Sequence, residues 1–81
     1  MPRVRRKDLP PAMLQHLLDR VQQRQIDARQ IELLAAWLDK EPEVPQGPWY
    51  KRFSGMIVCG EGDLVKTFLD SGQSPKGKRV S

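Results

Sequence analysis

Apolar residues recur at helical spacing twice in the first half of the chain. Leu14, Leu17, Leu18 and Val21 follow i, i+3, i+4, i+7, which predicts an amphipathic helix over about 10–23. Asp8 is an N-cap candidate for it, and Pro10 and Pro11 stand in the first turn, where a missing N–H costs nothing. Ile31, Leu34, Ala35 and Leu38 repeat the same stripe and predict a second helix over about 27–40, widened by Leu33, Ala36 and Trp37. Asp27 with Gln30 three residues later has capping-box spacing, with Asp in place of Ser or Thr. Glu41-Pro42 and Val44-Pro45 then exclude helix. The link at 22–26 holds neither Gly nor Pro, so one unbroken helix from about 10 to 39 is a rival. Its heptad seam is broken by Arg24 and weakened by Ala28 and Ala35, and a two-helix hairpin buries both stripes better. A DNA-reading helix-turn-helix is disfavoured, because the second helix is apolar and exposes as many acids as bases.

After a Pro-rich connector at 41–48, the period changes. Trp49-Tyr50-Lys51-Arg52-Phe53 read as extended chain sends Trp49, Lys51 and Phe53 to one side and Tyr50 and Arg52 to the other. Met56-Ile57-Val58-Cys59 is an apolar strand candidate bounded by Gly55 and Gly60, without polar alternation and therefore covered on both faces or paired tightly. Residues 64–69 fit two readings. Leu64, Val65, Phe68 and Leu69 make a helical face, yet a strand here would pair back on 56–59 through Gly60-Glu61-Gly62-Asp63 and give the first strand a partner. The expected fold is α+β, a two-helix hairpin (10–23, 27–40) packed on a β-hairpin (about 54–59 and 64–69). The alternative is a mainly α chain with a third short helix at 63–70.

Charge refines the picture. The chain of 81 residues carries a net +4, but Arg3, Arg5, Arg6 and Lys7 stand at one end and Lys76, Lys78 and Arg79 at the other, with no acid within residues 1–7 or 71–81. The body at 8–70 holds seven basic residues against all ten acids, a net of −3. This predicts a single small domain at 8–70 between a flexible basic arm (1–7) and a flexible basic tail (71–81). The longest apolar run, Leu33–Leu38, is far short of the roughly 20 residues of a membrane span, and no apolar segment follows the basic start. With a single cysteine, a cytoplasmic setting without membrane association is the simplest expectation.

Few residues suggest chemistry. His16 has no nucleophile or carboxylate partner in any motif, Cys59 is followed by Glu61 rather than by a base, and Gly60-Glu61-Gly62 reads as a turn. No catalytic, cofactor or metal constellation is legible, so the expectation is a non-enzymatic binding protein without a cofactor. Trp49–Phe53 is the stretch with functional texture: aromatic faces interleaved with Lys and Arg suit base stacking, while Trp49 and Phe53 are equally suited to anchor on Trp37. The candidate binding surface is therefore Tyr50, Lys51 and Arg52, together with Arg3, Arg5, Arg6, Lys7, Lys76, Lys78 and Arg79. A protein-interaction partner or regulator, antitoxin-like by size and layout only, is the first expectation. A nucleic-acid-binding protein using the basic ends and residues 49–53 is the alternative.

Overall fold

In a computed structural model describing residues 1–80, two helices precede a four-stranded mixed sheet, the expected α+β layout. Helix α1 spans Pro11–Gln22 and α2 spans Ala28–Asp39. Strands β1 (Pro48–Arg52), β2 (Met56–Glu61), β3 (Leu64–Asp70) and β4 (Lys78–Val80) lie in the order β3-β2-β1-β4. The β2–β3 hairpin is close to the expected one, and the third helix at 63–70 is absent because that segment is β3. Two strands exceed the expectation: β1 pairs antiparallel with β2, and β4 pairs parallel with the far edge of β1.

The helix starts differ in detail from the sequence pattern. Pro10, not Asp8, is the N-cap of α1, and the Asp8 carboxylate instead accepts from the Arg5 N–H at 2.9 Å at the end of a 3-10 turn, Arg6–Asp8. Asp27 does cap α2, accepting from the Arg29 N–H at 2.9 Å. Gln30 does not complete a capping box. Its side chain is buried and leaves the helix, with Nε2 donating to Ser54 Oγ (2.8 Å) and Oε1 accepting from the Gly55 N–H (2.9 Å). It thus ties α2 to the β1–β2 turn. The inter-helix turn needs no glycine because Arg24 itself takes a left-handed φ of 60°.

The core is formed by one face of the sheet and one face of each helix. Leu34, Trp37 and Leu38 of α2 meet Trp49, Met56, Val58 and Val65 of the sheet, with Met13 and Leu17 from α1. The α1 stripe is turned from the expected position: Met13 and Leu17 are buried, while Leu14 and Leu18 remain 37% and 42% exposed. Trp37 lies at the centre of an aromatic group, its ring 5.7 Å from Trp49 and 6.1 Å, edge-on, from Phe53. The core-anchor reading of Trp49 and Phe53 therefore holds. Trp49 also donates its indole N–H to the Gly62 carbonyl at 2.8 Å. Gly60 sits under it, where an added Cβ would approach the ring to 2.3 Å.

A bulge explains the ambiguous pattern of β3. Cys59 pairs with Thr67 and Gly60 with Val65, so Lys66 is an extra residue without a partner in the ladder. Three positions apart, Val65 and Phe68 would face opposite sides of a regular strand. The extra residue puts both on the core face, opposite Gly60 and Val58.

Both chain ends are engaged. Residues 1–7, expected as a flexible arm, dock on the connector: Val4 N–H donates to Pro42 O and Val44 N–H to Pro2 O, around an antiparallel Arg3–Glu43 bridge. Val4 and Val44 are both fully buried. Residues 78–80 of the expected flexible tail form β4, and Ser81 lies outside the described residues.

Candidate binding face of the sheet

Alternation along β1 divides its side chains between two environments. Trp49, Lys51 and the following Phe53 belong to the core side, and the Lys51 ammonium lies 5.7 Å from the Phe53 ring centroid. Tyr50 and Arg52 point to the face turned away from the core, with the Arg52 guanidinium 5.8 Å from the Tyr50 ring centroid. Register then assembles that outer face. Tyr50 stands opposite Cys59 on one side and Arg79 on the other, and Arg52 stands opposite Ile57, which in turn faces Leu69. Tyr50 is half-buried, whereas Arg52 and Arg79 are exposed.

Backbone geometry holds Arg79 there. Gly77 has φ 97° and lies against Pro48, where an added Cβ would come within 2.4 Å of the Pro48 carbonyl oxygen. Only glycine lets β4 approach β1 this closely. Ile57, fully buried although outside the main core, gives the outer face an apolar centre.

The expected basic residues separate into two groups. At the N-terminus, Arg3 pairs with Glu43 at 3.0 Å and also donates to the Glu41 carbonyl, Arg5 pairs with the Glu41 carboxylate, and Arg6 makes a two-pronged contact with Asp39 at 2.6 and 2.8 Å. The hydrogen bond to Asp39 raises the Arg6 pKa above its usual value. Lys7 is exposed and joins none of these pairs. By contrast Lys51, Arg52, Lys76, Lys78 and Arg79 form no ion pair among the described residues. The structure brings Tyr50, Arg52 and Arg79 together, puts Lys51 on the opposite side of β1, leaves Lys76 and Lys78 exposed before and within β4, and keeps Arg3, Arg5 and Arg6 on their own acids. Sequence reasoning did not foresee the pairing of Tyr50 with Arg79, 29 residues apart; the Gly77 next to Lys78 is its one local signal.

Cys59 is half-buried on the outer face, and burial pushes its thiol pKa up, away from a reactive thiolate. No group of three or more His, Cys, Asp or Glu able to hold a metal occurs among the described residues. No helix among them is long and apolar enough to cross a membrane. Comparison with known protein families, with curated proteins and with solved structures gives no match.

Proposed function

We propose that the protein binds single-stranded nucleic acid on the outer face of its sheet. The observation that carries this reading is Tyr50 set between Arg52, along the same strand, and Arg79, across the β1–β4 pair. An aromatic ring with a cation on either side offers a base a stacking surface and its flanking phosphates a counter-charge. A sheet face suits splayed bases rather than a duplex, whose base edges lie in grooves. Lys76, exposed just before β4, adds positive charge at that edge, whereas Lys78, opposite Trp49, falls on the other side of the sheet.

Fluorescence anisotropy with a labelled single-stranded oligonucleotide at low salt tests it. Tyr50→Ala is expected to weaken binding by about 1–3 kcal/mol, the contribution of one stacked base. Its melting temperature should stay near the parent's, since Tyr50 lies outside the core. Equal affinity in Tyr50→Ala and in Arg52→Ala, or no binding by the parent protein, overturns the reading.

A protein partner is the second reading, and a different observation favours it. A mainly apolar groove of ≈ 240 Å³ runs between α1 and α2, lined by Leu9, Leu14, Ile31, Leu34, Ala35 and Leu38 with Arg6 at its edge, and Leu18 is exposed on the same helix as Leu14. Groups of this kind take an apolar side chain from another chain. A partner that stays bound through salt strong enough to strip nucleic acid, from a protein that ignores oligonucleotides, would favour it.

A further inference from the structure

A second groove, between α1 and β3, has a chemistry distinct from the sheet face. It is an open groove of ≈ 440 Å³, a volume within the range of small-molecule sites, and is lined by Met13, His16, Arg20, Lys66 and Phe68 among others. Its apolar part is Pro10, Ala12, Met13 and the Phe68 ring; its polar part is the Arg20 and Lys66 cations with His16 and the Thr67 hydroxyl, and no carboxylate lines it. The bulge is what supplies Lys66: as the extra residue of β3, it is released from the strict alternation of the strand. Arg20 lies with its guanidinium carbon 5.9 Å from the Phe68 ring centroid, and one of its five N–H donors is committed to Gln25 at 2.8 Å. Lys66 is held by Glu61 at 3.6 Å in an exposed pair, which is weak enough to yield to a stronger anion.

We propose that this groove binds a small phosphorylated molecule carrying one planar ring. Arg20 and Lys66 take the phosphate by charge-assisted hydrogen bonds, His16 adds a ring nitrogen at the same wall, and the planar ring packs on Phe68 and Met13. Neither half of such a ligand alone uses both parts of the groove.

Amide chemical shifts of the full chain, titrated with phenyl phosphate, inorganic phosphate and phenol in turn, test the proposal. Phenyl phosphate should give saturable shifts at Met13, His16 and Phe68, with inorganic phosphate and phenol each about tenfold weaker or more. Lys66→Gln, at a half-exposed side chain that the fold does not need, should weaken phenyl phosphate about tenfold. Tyr50→Ala should leave that affinity unchanged, which separates this site from the nucleic-acid face. Shifts centred on Tyr50 and Arg79, no saturable shifts at all, or equal affinity in Lys66→Gln would each overturn it.

Discussion

Strand β1 serves two faces of one sheet, and the two differ in what holds their residues. On the core face, Trp49 is fully buried, hydrogen-bonded through its indole N–H, and fitted over a glycine, with Trp37 and Phe53 completing the group. On the outer face, Tyr50, Arg52 and Arg79 meet only through strand register and a cation over a ring. The first face specifies the fold and tolerates little change. The second is fully buried only at the apolar Ile57 and leaves Arg52 and Arg79 exposed, which is what the proposed binding role would use.

The largest test of that contrast is Trp49→Ala. Loss of a buried tryptophan is expected to cost about 3–5 kcal/mol, against a total stability of about 5–15 kcal/mol for a domain, as measured by denaturant unfolding. A cost below about 1 kcal/mol would mean the core face is less specified than described. Gln30→Ala comes next. It leaves the Gly55 N–H without its acceptor at a partly buried turn and should cost about 1–3 kcal/mol. Ser54→Ala, which removes the acceptor of the Gln30 Nε2 and leaves the bond from the Gly55 N–H in place, separates the two bonds.

The smallest expected effect sharpens the comparison most. Replacing Arg3 and Arg5 by Gln should leave the salt dependence of oligonucleotide binding unchanged, because both are already paired with Glu43 and Glu41. The same change at Arg52 and Arg79 should lower the slope of log K against log salt by about 0.7 for each phosphate that is no longer neutralised. Equal slopes in the two double variants would return the N-terminal arginines to the binding surface.

The charge pattern shows how much of this was legible beforehand. From sequence, the arginines at 3, 5 and 6 and the cations at 76, 78 and 79 are similar clusters, with no acid within residues 1–7 or 71–81. The acids that neutralise the first cluster lie 33 to 40 residues away, at Asp39, Glu41 and Glu43. They meet it because Val4 and Val44 are buried together and draw the N-terminus along the connector. Local charge counting has no access to such a pairing. The candidate face was half legible for the same reason: alternation placed Tyr50 and Arg52 on one side, but nothing near them announced Arg79.

What the sequence determined by itself was local. The i, i+3, i+4 stripes located both helices to within a residue or two, Asp27 marked a cap that forms, and Met56–Val58 announced a strand covered on both faces or paired tightly. Tertiary structure decided the rest. It turned α1 so that Met13 is buried in place of Leu14, sent the Gln30 side chain from α2 to serve a turn, and added β4 beside β1. It also settled β3, whose apolar spacing imitates a helix because one bulged residue breaks the period of two. The physical reason is common to all of these. Helical hydrogen bonds and stripes close within four residues, whereas strand pairing, bulges and buried side-chain bridges are chosen by partners distant in the chain.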